Sequence, residues 1–254
     1  MPTLRTVFAV LCLGVVLAYC QDTRSATVRY RVIATVEVDG KPVEKSTVME
    51  IKYRTVDDPN VNWFIWAVTG MSRTVTYTEQ YGEALIIDLG DRGTAFLLPT
   101  TYSPYSSTGR GHFGSGFYDT SLLITFGITN KLLRLDANDY ARLRNVKGRF
   151  PLKTRHPDVH PAMAALLNEK YPQTIFQVDP YNMEASFSGV RLVGIDIEIT
   201  KDPVTSKLRQ RLPWLMGRRG KLAADHSTPV IPLKTGDRFV TAIQEHDFFA
   251  PGSY

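Results

Sequence analysis

The chain has 254 residues, 43% of them hydrophobic and 22% charged, with a formal net charge of +5. Those values exclude a disordered or fibrous class and leave room for one large domain or two small ones with an ample core. Both cysteines, Cys12 and Cys20, lie within the first twenty residues, so nothing after them can form a disulfide scaffold, a thiolate metal site or a cysteine nucleophile.

Arg5 precedes an unbroken apolar run from Val7 to Ala18, and beyond Cys20 the chain turns polar with Gln21, Asp22 and Arg24. This is the layout of an export signal, and it predicts a periplasmic or otherwise extracytoplasmic address. Leu17-Ala18-Tyr19-Cys20 is similar to a lipobox, with Cys20 as the lipidated residue, although Tyr19 stands where a small residue is usual. Ordinary cleavage after Ala18 or Cys20 is a second outcome, and retention as an anchor a third. The run of about twelve residues is short of the ~20 that a spanning helix needs. The expected organisation is a leader over 1–20, a linker over 21–26, a β-rich globular domain over 27–248 and a tail over 249–254. A division into two sub-domains near 100–116 is the alternative.

The first strand is read from Thr27 to Asp39, where Val28, Tyr30, Val32, Ala34, Val36 and Val38 share one face. Asp39-Gly40 supplies a hairpin turn, and alternation resumes through Thr47, Met49, Ile51 and Tyr53, with Glu50, Lys52 and Arg54 opposite. Further strands are predicted at Trp63–Val68, Arg73–Gln80, Ala84–Leu89 and Thr94–Leu98, with Gly90-Asp91-Arg92-Gly93 turning between the last two. Thr100 to Gly116 has no period and is read as a long loop. Tyr118–Ile128 is a helix or a buried strand, and Asp136–Arg144 a short helix.

Good helix formers after Pro161 predict a helix over Pro161–Leu167. Thr174–Val178 reads as a strand, and Asp179-Pro180 as the cap of a brief helix to Ser186. Arg191–Ile199 alternates, placing Val193, Ile195, Ile197 and Ile199 inward and Asp196 and Glu198 outward. Asp202-Pro203 is read as a capped helix start, with Val204, Leu208 and Leu212 on one face until Pro213. The sum is an α+β fold, a single domain dominated by an antiparallel β-sheet with a few short helices.

Gly82-Glu83-Ala84-Leu85-Ile86-Ile87-Asp88-Leu89-Gly90, with Glu198-Ile199-Thr200-Lys201-Asp202-Pro203-Val204-Thr205 and Arg211-Leu212-Pro213-Trp214-Leu215, resembles a family of uncharacterised α-proteobacterial exported or lipoprotein-like proteins. The resemblance spans most of Thr27 to Leu222. It implies an exported, β-rich domain and carries no chemistry.

Candidate chemistry is sparse. His156 and His160 stand four apart with Asp158 between, but Pro157 and Pro161 argue against the helix that metal chelation at this spacing requires, so no metal is expected. Gly109, Gly111 and Gly114 form Gly-x-Gly-x-x-Gly, yet they follow a meander and not the strand of a βαβ unit, so no cofactor is expected. Ser115, flanked by Gly114 and Gly116, does not make a hydrolase elbow. Asp88, Asp196 and Glu198 are read as solvent-face strand carboxylates.

The strongest candidate is basic. Lys207, Arg209 and Arg211, then Arg218, Arg219 and Lys221, surround Trp214, Leu215 and Met216. Such a patch suits an anionic membrane surface, through charge and an interfacial Trp. The alternative is that Trp214 and Leu215 plug the core while the cations stay solvated. Expected partners are an envelope protein or an anionic membrane, and the export address speaks against nucleic acid. A non-enzymatic binding or scaffolding protein is the expected function, with a hydrolase of an envelope polymer or a small-ligand carrier as alternatives.

Overall fold

In the computed structural model, residues 24–57, 67–68, 74–103, 112–114, 117–128, 135–154, 160–216, 222 and 245–250 are described. The leader, Cys20, His156, the loop glycines Gly109 and Gly111, Ser115 and the cations Arg218, Arg219 and Lys221 lie outside them.

Two long strands, β1 (Ser25–Val38) and β2 (Lys41–Asp57), pair from Ser25 opposite Arg54 to Val38 opposite Lys41. Asp39 and Gly40 turn between them with φ of +50° and +78°, the doubly left-handed geometry that Asp-Gly favours. β3 (Thr74–Tyr81) adds to β2, and β10 (Val190–Ile199) to the other side of β1, followed by β7 (Arg149–Pro151). The order β3-β2-β1-β10-β7 makes the first sheet. The second has the order β4-β5-β8-β9, built from Leu85–Asp88, Thr94–Ser103, His160–Leu166 and Ile175–Val178. The short β6 (His112–Gly114) pairs with β5. Every pairing is antiparallel. The protein is thus a β-rich α+β fold. Both sheets draw strands from either side of residues 104–111, so a division near 100–116 cuts through both.

The sheets face each other across one core. Tyr30, Val32, Ile51 and Tyr53 from the first meet Leu85, Leu97, Met163 and Val178 from the second. Two helices close the core: α1 (Phe117–Thr125) through Tyr118 and Leu122, and α2 (Ala137–Asn145) through Tyr140 and Leu143. Asp136 caps α2 in a reciprocal box with Asp139, so the helix starts where a side-chain acceptor meets orphan amides. The outer face of the first sheet is polar and laced with ion pairs: Arg29–Glu50, Arg31–Glu198, Arg149–Asp196 and Arg191–Glu37. Asp196 and Glu198 are spent in this cross-strand pairing.

Several expectations need correction. Pro161–Leu167 is not a helix: His160–Leu166 is β8, pairing with β5 and β9 and fully buried from Pro161 to Leu166. A strand covered on both faces shows no alternation, and small alanines fit between two packed layers. The long loop does not begin at Thr100, because β5 runs on to Ser103 and pairs with β6. Val193 does not face inward. The register slips from Thr35 opposite Gly194 to Val36 opposite Leu192, leaving Val193 as an extra residue that is 54% exposed. Ala67 and Val68 are helical, and Val68 is exposed, so no inward-facing strand reaches them. The helix expected to reach Ser186 reduces to a 3-10 turn, Met183–Ala185.

Candidate functional site

The outer face of the second sheet is apolar too, carrying Ala84, Phe96, Leu98, Ala164 and Ile175. A C-terminal strap covers it. Residues 202–207 are not helical, because Asp202 is taken by Arg31 on the first sheet and so does not cap a helix. Thr205 instead joins β2: its N–H donates to Val48 O at 3.0 Å, and its Oγ1 accepts from Val48 N–H at 2.9 Å. Only Leu208–Arg211 is helical (α3). Leu208, Leu212 and Leu215 are fully buried against the outer face, so of the expected Trp214 and Leu215 plug only Leu215 is fully buried, with Trp214 partly so. Phe248 and Phe249 complete the cover, tied in by Ala84 N–H to Phe248 O and Ala250 N–H to Gly82 O.

Glu83 fixes the strap. Its side chain lies inside the protein, and Oε1 accepts the backbone N–H groups of Lys207 and Leu208. Burial pushes its carboxyl up, while these amides and the nearby Arg209 and Lys207 pull it down less strongly. Lys207 is itself exposed, and the Arg209 guanidinium sits over the Phe249 ring, 5.3 Å from its centre.

Arg211 and Trp214 have structural work. Arg211 Nε donates to both oxygens of Glu169, and its Nη2 donates to Asp88 at 3.0 Å and Thr94 at 3.3 Å. The Gly90 N–H and Arg211 hold the Asp88 carboxyl below its usual value. Burial pushes Glu169 up, but bonds from Arg211 and Thr94 prevail and hold it low. Half-buried Trp214 donates Nε1–H to the Glu169 carbonyl at 2.6 Å. These bonds bring the turn at 167–171 beside the turn at 213–216. Leu167 (61% exposed), Tyr171 (52%) and Met216 (37%) stand on this corner with exposed Lys170. Reading Leu167 into a helix hid it; two large apolar residues in the polar stretch Leu167-Asn168-Glu169-Lys170-Tyr171 were the available signal.

A second feature escaped the sequence. A solvent-open cleft of about 380 Å³ lies where β3 ends, lined by Tyr81, Gly82, Glu83, Val204, Thr205, Ser206, Arg209 and Phe249. Gly82 in this lining has φ of +139°, and a Cβ there would lie 2.8 Å from Cγ of the buried Met49, so the position favours glycine. Of the histidines, His112 and His160 lie on β6 and β8, and among the described residues no three His, Cys, Asp or Glu side chains group as a metal site. Elsewhere, Asp119 is pushed up to about 6 by burial beside the buried tyrosines Tyr30, Tyr53 and Tyr118. Its backbone carbonyl accepts from Tyr53 Oη at 2.7 Å.

No protein-family model, curated protein or solved structure matches this chain.

Proposed function

We propose that this chain is an exported cell-envelope protein that binds and does not catalyse, docking on an anionic membrane surface through the corner formed by residues 167–171 and 213–216. One observation carries the reading: Leu167, Tyr171 and Met216 stand exposed around Trp214. The acids beside them, Glu169 and Asp88, share the one charge of Arg211, and Lys170 on the same corner offsets the charge that remains. Lys170 lies in the corner, and Arg218, Arg219 and Lys221 follow it in sequence. Each cation near an anionic surface contributes about 1 kcal/mol, and apolar side chains at the interface add to that.

Co-sedimentation with vesicles tests it. The protein is expected to bind phosphatidylglycerol-containing vesicles and not phosphatidylcholine vesicles, with binding that weakens as salt rises. The triple change Leu167→Ser, Tyr171→Ser, Met216→Ser, at exposed positions, is expected to weaken binding at least tenfold with an unchanged melting temperature. Equal binding to both vesicle types, or none, overturns the reading.

A further inference from the structure

We propose that the cleft at Glu83 and Arg209 is a binding site for a neutral, hydroxyl-rich ring, the chemistry of a saccharide unit. Among the described residues that line the cleft, Glu83 is the one carboxylate and Arg209 the one guanidinium. An anion gains Arg209 and meets Glu83, and a cation does the reverse. A hydroxyl both donates and accepts, so neighbouring hydroxyls on one ring bond an acceptor and a donor together, Arg209 bringing five N–H donors beside its existing contacts. Hydrogen bonds to ionised partners are also stronger than neutral ones.

The acceptor is already arranged. Glu83 Oε1 is occupied by the amides of Lys207 and Leu208, and among the described residues nothing pairs with Oε2. Oε2 is therefore the atom assigned to an incoming hydroxyl. Thr205 Oγ1 accepts from Val48 N–H, which fixes that oxygen in the wall with its own proton still to donate. Ser206 adds an exposed hydroxyl.

The walls suit the C–H face of a ring. Tyr81 and Val204 supply apolar surface, and the buried Phe249 ring backs the Arg209 guanidinium. The volume, about 380 Å³, falls at the small end of ligand sites, which run from about 300 to 1,000 Å³. A site on a sheet end with its groups pre-fixed loses little entropy on binding. Among the described lining residues Glu83 is the single carboxylate, whereas hydrolysis of a glycoside requires a pair, so the proposal is for binding.

Saturation-transfer NMR on the full chain tests this, with glucose and N-acetylglucosamine as probes and glycine, acetate and ethanolamine as comparators. Transfer to ring C–H protons of at least one sugar is expected, with none to the three comparators. Arg209→Leu changes an exposed residue, and Glu83→Gln keeps an Oε1 acceptor for the strap while replacing Oε2 by a donor. Each is expected to weaken sugar binding at least tenfold, with circular dichroism and melting temperature reporting the fold. No transfer to either sugar, binding of glycine or acetate in preference, or unchanged affinity in a folded Arg209→Leu protein overturns the proposal. Vesicle binding uses a different surface, so failure of one reading leaves the other standing.

Discussion

Glu83 and Leu208, 125 positions apart, are joined by a 2.9 Å bond from the backbone N–H of one to the carboxylate of the other. That bond, with its twin from Lys207, is the hinge pin between the β-sheets and the segment that covers them. Glu83→Ala removes the acceptor and strands two amides at the start of α3. A loss of about 2–3 kcal/mol is expected in urea unfolding, whereas Glu83→Gln is expected to lose less than half of that. Equal losses mean that the negative charge of the carboxylate, not its shape or a neutral acceptor in its place, holds the strap.

Asp119 makes stability depend on pH. Its carboxyl titrates near 6 in the folded protein and near 3.8 when free, so between those values the folded state holds more protons than the unfolded one. Stability therefore falls as pH rises from about 4 to about 6 and levels off above. The difference of about two units is worth up to roughly 3 kcal/mol. Asp119→Asn is expected to raise the melting temperature at pH 7 and to flatten this part of the profile, measured by thermal melts from pH 4 to 7.5. A stability difference between wild type and Asp119→Asn that stays constant across that window rules the assignment out.

Arg211 and Lys207 are both cations of the basic segment, yet they are expected to behave differently. Arg211→Ala breaks the links to Glu169, Asp88 and Thr94 and leaves the half-buried Glu169 unpaired, at a cost of about 1–2 kcal/mol. Lys207→Ala, at an exposed side chain, is expected to change stability by less than about 0.5 kcal/mol. Paired chemical denaturation curves separate the two.

The first sheet was legible because only one of its faces is dry. Tyr30, Val32 and Ala34 alternate with Arg29, Arg31 and Thr35, and the Asp39-Gly40 turn completes a hairpin that period-two patterning states outright. The second sheet is covered on both faces, so Ala162, Met163, Ala164 and Ala165 carry no alternation and imitate a helix. Val193 misled for a different reason: a bulge shifts parity within one strand, and only the partner's register reveals it. The basic segment was visible as composition, but the division of labour within it was not. Arg211 and Trp214 are claimed by Glu169, which lies 42 and 45 positions away, and Glu83 drew notice only as part of a family tag.

Gln177 offers a fourth test. It is buried on β9, and neither its amide nitrogen nor its amide oxygen has a partner among the described residues. Gln177→Met keeps the shape and removes both polar atoms, and a gain of about 1–3 kcal/mol is expected in urea unfolding. A loss instead indicates that the amide is used by something bound there.

The topology also dictates the order in which the molecule can assemble. β1 finds its partner β10 some 160 positions downstream, and Ala84 waits for Phe248. A ribosome feeding this chain out from its start therefore produces the hairpin early and finished sheets very late. Through most of synthesis the polypeptide therefore lacks its finished sheets, and it locks only when its two distant portions meet.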